Sequence, residues 1–499
     1  MINRRSFVRS SLAAAVACAL PTQRLYALDQ AASQAAGGLA AVKLDGSATV
    51  IEQAAVAELK ASLRGPLLLA GDAGYDSARR ILHPQFDKYP ALIVQPTGAT
   101  DVRNAVSFAR ERELLLAVKC GGHSFSGKST CNGGLQIDLS QMRGVRVDPA
   151  ARRAYVEGGS LLGELDHETM AHGLVTTAGT VSHTGVGGLT LGGGFGRVAR
   201  RFGLALDNVK SVDIVTADGE LRHASAKESP DLYWAVRGGG GNFGIVTGFE
   251  FGLHPMQRQI IGGNLVFPIG RARELLEFYG EYSHTVPEDM YVDAEIYFPS
   301  GGKPGTFTIQ TTYSGPPANA ERVLAPLRKL GTPLDDTIKA QDYVAIQRSA
   351  DYTDARNSGE YLKAGFIVGF PAGLVDAVLD GFQPDPDRGT AFFTQQGGGA
   401  IGRVPPDATA FPHRRPTVEI FALVSWDLGA DGKRHVDYVK GYWSKLLKFT
   451  DGYYTNEVAD EHQPHIDENY RGNIQRLREL KRRYDPANLF RLNANILPA

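Results

Sequence analysis

Seven glycines fall between positions 185 and 196, at 185, 187, 188, 192, 193, 194 and 196, and four more run from Gly238 to Gly241. Glycine at that density weakens helix and strand interiors, so its use must lie in close approach of bare backbone to something else. Two solutions satisfy that demand: two chain segments pack tightly, or a large, flat, phosphate-bearing ligand lies against the main chain. The ligand is the favoured reading. The run from Gly185 to Gly196 contains no G-x-G-x-x-G, so it does not support a dinucleotide-binding Rossmann reading. The 58 glycines cluster instead of recurring at a fixed period, and 9% of the chain is aromatic, so collagen-like and disordered classes are excluded.

A second glycine-flanked segment, from Gly122 to Ser129, is a formal match to the phosphate-binding pattern G-x-x-x-x-G-K-S. A nucleotide-hydrolysing P-loop must open a helix, whereas Asn132-Gly133-Gly134 turns here into the strand Leu135-Gln136-Ile137-Asp138. His167-Glu168 with His172 imitates a zinc-protease helix, but a spacing of five puts the histidines on different faces. His462 and His465 beside Asp460 and Glu461 lack a regular element to fix them, because Pro464 interrupts it. No metal is therefore expected. With 53 Lys+Arg against 54 Asp+Glu and no run of one sign, nucleic acid is not an expected partner.

Asn3-Arg4-Arg5-Ser6-Phe7, a short apolar run and a cleavage point near Ala27 have the layout of a twin-arginine export signal, which predicts a periplasmic or secreted protein. That route carries folded proteins, which suits a chain loaded with a cofactor before export. No other stretch is long and apolar enough to span a membrane. Cys120 and Cys131 remain after the signal, and one bridge between them is left open.

Regular structure is expected to start at the apolar run 90–94, which reads as a buried strand. Thr100-Asp101 can cap a helix carrying Val102, Ala105, Val106 and Ala109 at helical spacing, followed by a strand at 114–118. Residues 135–159 alternate as strands, and 161–172 reads as a helix. From Ile260 the character changes. Val292, Ala294, Ile296 and Phe298 interleave with Asp293 and Glu295 as a strand with one wet face, which predicts an antiparallel sheet. Further strands at 307–313, 391–395 and 418–426, and helix stripes on Val323, Leu324, Leu327, Leu330 and on Val436, Val439, Trp443, Leu446, make a separate α+β domain.

Three segments carry a resemblance: Cys120-Gly121-Gly122-His123-Ser124, the whole of 179–196, and Asp231 to Gly244 with its four glycines. Together with Tyr454-Thr455-Asn456 and the closing run from Leu480 to Ile496, they resemble the FAD-linked oxidases of the berberine-bridge-enzyme type, within the vanillyl-alcohol-oxidase superfamily. The resemblance implies an α+β fold: a two-subdomain FAD-binding PCMH-type domain over 86–258, a substrate domain with an antiparallel sheet over 259–450, and a C-terminal segment, 451–499, returning to the flavin. It implies FAD held by one covalent bond from His123, since Val181 stands where some relatives carry a second linking cysteine. Gly121, Gly122, Ser124, Gly179, Thr180, Ser182, Gly187, Gly188, Val246, Asn493 and Asn495 are the implied cofactor contacts.

The chemistry implied is hydride removal from an alcohol, sugar or phenolic-type substrate, with O2 reduced to H2O2. Several relatives place a catalytic tyrosine after the asparagine of Tyr-x-Asn-Tyr; this chain has Glu457 there, so Tyr454 and Glu457 are the catalytic candidates. Thr184 is small enough to leave oxygen room beside the ring, which favours an oxidase. The alternatives are a dehydrogenase passing electrons to a quinone or cytochrome, and an exported flavin-binding protein without turnover. Arg403, His413 and Arg414 are either substrate-domain site residues or surface charges. Substrate and oligomeric state stay open.

Overall fold

The computed structural model describes residues 38–353, 358–415, 417–457 and 461–499. The export signal lies outside the described residues, as does Asp460. Regular structure starts earlier than the apolar run at 90–94 suggests: Gly38–Val42 and Ala48–Glu52 form an antiparallel hairpin, and helix Gln53–Ser62 follows. Asp45-Gly46 is the turn, with Gly46 at φ +85 and the Asp45 carboxylate accepting from the Ser47 N–H at 2.8 Å.

Strand Leu92–Val94 is fully buried in a four-stranded sheet ordered Leu67–Leu69, Leu92–Val94, Leu135–Asp138, Leu116–Lys119. Its last three strands run parallel, as burial on both faces requires. Helix Ala99–Glu111 makes the crossover. Asp101 does not cap it: the helix begins after Gly98, and the carboxylate turns back to accept N–H bonds from Arg64, Gly65 and Thr97, each at 3.0 Å. A five-stranded antiparallel sheet, ordered Leu221–Ser225, Val209–Val215, Ile245–Gly252, Arg153–Glu157, Val145–Asp148, completes the first domain.

The second domain is an eight-stranded antiparallel sheet. Strand Met290–Phe298 sits near its middle, between Thr306–Tyr313 and Gly389–Gln396, and Thr417–Asp427 follows. Met290, Val292, Ala294 and Ile296 pack into a core shared with helices Ala272–Thr285, Ala320–Arg328, Leu374–Gly381 and Lys433–Leu446. The opposite face is not wet in the sense the alternation suggested. Tyr291, Asp293, Glu295 and Tyr297 roof a cavity between the domains, and burial pushes the Asp293 carboxyl up to about 7 and raises that of Glu295.

The glycine clusters divide between the two solutions, and chain packing takes the larger share. A Cβ on Gly121 would stand 2.3 Å from the Gly185 nitrogen, one on Gly196 1.7 Å from the Ala178 oxygen, and one on Gly238 2.3 Å from the Phe411 nitrogen. Gly188 is the exception, with nothing within 4 Å of the added atom.

The tail docks on the first domain through helix Ile474–Tyr484, whose Leu477, Leu480 and Tyr484 enter its core. Lys481 is fully buried: its Nζ donates to Asp485 Oδ2 at 2.7 Å and to the Asn242 carbonyl at 2.8 Å. Cys120 and Cys131 are unbridged thiols, each pushed up by burial, to about 11 and about 12. Among the described residues no helix is long and apolar enough to cross a membrane, and no group of three metal-ligating side chains converges.

Candidate active site

A cavity of about 940 Å³ runs between the two domains and is closed by the tail. That volume lies at the upper end for small-molecule sites and suits a dinucleotide with space for a small substrate. The loop after strand Leu116–Lys119 gives one wall, with Gly121, Gly122, His123 and Ser124. It does not open a helix, so the P-loop pattern at 122–129 has no phosphate-binding helix end behind it. Gly179, Thr180, Gly187 and Gly188 give a second wall, and Val246 and Asn493 complete it. A Cβ at Gly188 would meet open space at this wall, so there the bare backbone is not explained by chain packing.

His123 presents its ring on the wall, with Nε2 2.6 Å from Nδ1 of His183 and Nδ1 3.3 Å from the Thr184 hydroxyl. Ser182 and Asn495 are not brought to the cavity. The Ser182 N–H and hydroxyl both donate to Asp351, at 3.0 and 2.6 Å, and fasten the glycine-rich segment to the second domain. Gln347 does the same a few residues earlier, donating to the Gly179 carbonyl at 2.9 Å, and Arg197 links the two, donating to the Thr180 carbonyl at 3.0 Å and to Gln347 at 3.2 Å.

The tail supplies Tyr454 and Glu457. The Tyr454 hydroxyl accepts from the Gly194 N–H and from Asn456 Nδ2, each at 2.8 Å, and donates to the Leu189 carbonyl at 3.2 Å. Its ring packs edge-on against Phe195 and Phe411, and burial drives its ionisation far above the usual tyrosine range. Glu457 stands on the cavity wall with its carboxyl pushed up to about 7 by burial.

Sequence reasoning missed Glu419. It lies on strand Thr417–Asp427, on the same face as the cavity-lining Phe421, Leu423 and Ser425, opposite Gln395. Both of its carboxyl oxygens are buried, and burial first, then the nearby Glu457 charge, raises it well above the ordinary carboxylate range against the smaller opposing pull of the Tyr454 backbone N–H. A lone acid between Val418 and Ile420 was the signal available. Of the three substrate-domain candidates, none lines the cavity. Arg403 is exposed and pairs with Glu288; Arg414 is buried in a two-point pair with Asp207, at 2.8 and 2.9 Å; His413 is buried against Asn469 and pulled down to about 4 by burial.

The chain therefore fits a flavin dinucleotide on its own geometry. Besides the bare backbone at Gly188, the cavity-lining residues Ser129, Tyr453, Tyr470 and Gln395 carry buried oxygens with no hydrogen-bond partner among the described residues. Buried polar groups in native proteins are paired, so these are positions for a ligand's polar atoms.

Comparison with known proteins agrees. The family described as "FAD binding domain" matches residues 90–225, and "Berberine and berberine like" matches 453–497. An FAD-linked oxidoreductase of Dictyostelium discoideum is 33% identical over 413 residues, covering 82% of this chain and 89% of that protein. The crystal structure of 6-hydroxy-D-nicotine oxidase from Arthrobacter nicotinovorans superposes with TM-score 0.80 at 28% identity, over 88% of this chain and 99% of that one. Xylooligosaccharide oxidase from Myceliophthora thermophila, solved with xylobiose, gives TM-score 0.78 at 25% identity, over 89% and 99%. Fold and site define an FAD-linked oxidoreductase. The chain belongs to the berberine-bridge-enzyme-like family, with its FAD-binding domain and berberine-type C-terminal segment.

Proposed function

We propose that the protein is an oxidase that removes a hydride from a hydroxylated small molecule, an alcohol, sugar or phenolic, at FAD carried covalently on His123. The observation that carries this reading is the single cavity onto which His123 opens from one wall and Glu457, its carboxyl raised to about 7, from the tail. When bound, the flavin supplies the acceptor for the hydride and the route by which electrons reach O2.

Gly121, Gly122, Ser124, Gly179, Thr180, Gly187, Gly188, Val246 and Asn493 hold the cofactor by backbone and short polar groups. Val181 also lines the cavity, has no nucleophile, and leaves His123 as the single link. The roof of Tyr297, Phe393 and Phe421 with Asp293, Glu295 and Gln310 suits a ring carrying hydroxyls: aromatic faces stack on it and carboxylates accept its O–H bonds. Glu457 takes the hydroxyl proton as the hydride leaves. A base with its pKa near neutrality is efficient, and desolvation supplies that tuning. Burial, and then the Glu457 charge itself, raise the Glu419 carboxyl and so disfavour a second negative charge beside Glu457. Tyr454 is a positioning residue, because its hydroxyl is committed to Gly194, Leu189 and Asn456. Thr184 leaves space beside the cavity for O2. The leader at 1–27 would deliver the loaded enzyme outside the cytoplasm by the twin-arginine route.

The test is acid precipitation of purified protein, followed by a screen of alcohols, sugars and phenolics for H2O2 release. Yellow flavin in the wild-type pellet and in the supernatant of His123→Ala supports the reading. Colour lost from the wild-type pellet refutes covalent attachment, and flavin bleaching without H2O2 refutes the oxidase assignment.

A further inference from the structure

The linking histidine is not alone. His183 stands behind it, off the cavity, with its Nδ1 2.6 Å from His123 Nε2 and the two ring centroids 4.7 Å apart. Its backbone is clamped on both sides. Ser182 is held by Asp351 and donates no freedom, its carbonyl accepts from the Gly163 N–H at 2.8 Å, and the Thr184 carbonyl accepts from the Leu162 N–H at 2.9 Å. Among the described residues the far nitrogen, His183 Nε2, is buried with no hydrogen-bond partner, and the hydrogen bond the ring makes is the one to His123.

A neutral imidazole has one N–H and one lone pair, and which nitrogen carries which is set by the bond the other makes. We infer that His183 is the positioning base for covalent flavin attachment: it accepts the Nε2–H of His123, which keeps the lone pair on Nδ1, and takes that proton as the bond to the flavin forms. This rests on the reading that His123 is the attachment point. The arrangement repeats the logic by which a buried group fixes the tautomer of a catalytic histidine.

The step balances as follows. A bond forms from His123 Nδ1 to the ring methyl carbon of FAD, and one C–H of that methyl breaks, its hydrogen leaving to solvent as a proton and its electron pair staying on the flavin. The Nε2 proton passes to His183 and on to solvent while Nδ1 gains its carbon. Two electrons remain on the flavin, and dioxygen removes them with two protons as H2O2. His183 is unchanged at the end.

The experiment compares wild type, His183→Ala and His183→Gln, purified with the FAD they acquire. Total flavin is read by absorbance, and the covalent fraction by flavin fluorescence of the protein after acid denaturation. The expected result is full FAD occupancy in all three, covalent in wild type, with attachment about 100-fold slower in both variants, within the range for a lost proton acceptor. Added imidazole should then raise the rate of covalent attachment in His183→Ala, because the small base can occupy the space the side chain leaves. A merely structural role predicts no such rescue.

Attachment at the wild-type rate in His183→Ala overturns the inference and leaves His123 as the link. Loss of FAD from both variants, or no response to imidazole, also overturns it, by showing that the ring only packs. Wild-type protein without covalent flavin would instead remove the underlying reading of His123.

Discussion

Replacing Lys481 by methionine isolates the contact that docks the tail. Nζ of Lys481 meets Asp485, the Asn242 carbonyl and the Phe490 carbonyl, at 2.7, 2.8 and 3.4 Å, where neither charged side chain reaches solvent. Removing one member of a buried pair strands the other charge, at a cost of about 3 to 5 kcal/mol. Asp485 keeps two backbone donors, the Leu489 N–H at 2.8 Å and the Phe490 N–H at 2.9 Å, so Lys481→Met belongs at the lower end, about 3 kcal/mol. Asn242 spreads the effect along the tail, because its side chain accepts from the Ile496 N–H at 3.0 Å and donates to the Ala494 carbonyl at 2.9 Å. Hydrogen exchange over 485–496 is the assay, since it reads local opening in a two-domain protein that need not unfold in one step. At about 1.4 kcal/mol per tenfold, exchange there should accelerate about 150-fold, with strand Met290–Phe298 unaffected. Adding Asp485→Asn removes the stranded charge while keeping an acceptor, and should restore most of the protection. Acceleration below threefold in Lys481→Met would refute the argument that this pair holds the tail.

Gly188→Val should fold with a near-native melting temperature yet lose bound FAD, whereas Gly121→Ala should destabilise the protein by several kcal/mol, of order 3, because its Cβ meets backbone at 2.3 Å; thermal melts and flavin absorbance separate the two. His413, held at about 4 when folded, binds its proton more weakly than in the unfolded chain. Stability should therefore fall as pH drops from the unfolded value near 6.5 to about 4, by up to about 3 kcal/mol, and His413→Gln should flatten that part of a urea-denaturation series. For a substrate found by the H2O2 screen, hydride-transfer rate should rise with pH through about 7, and Glu457→Gln should lower it about 100-fold or more and abolish the inflection in stopped-flow traces.

The alternation over 290–298 made the antiparallel sheet legible, because period two survives whatever covers the faces. What covers them is decided by another part of the chain. The acids Asp293 and Glu295 read as facing water and in fact roof the cavity, since the first domain supplies the other wall. The glycine clusters announced close backbone approach, yet spacing cannot say whether the neighbour is a ligand or Phe411 arriving from 173 residues away. Ser182 stood within the right motif and was drawn off by Asp351, a partner no local pattern reveals. Glu457 was visible because it occupies a family position, and Glu419 was not, because its meaning depends on the carboxyl that the tail sets beside it.

Strand Met290–Phe298 puts its even-numbered side chains into the domain core and its odd-numbered ones over the cavity. Two texts are thus interleaved on one ribbon, one written for folding and the other for recognition, and a change to either leaves the other readable. A lineage could exchange Asp293, Glu295 or Tyr297 and acquire a new diet without disturbing the packing of Val292, Ala294 or Ile296.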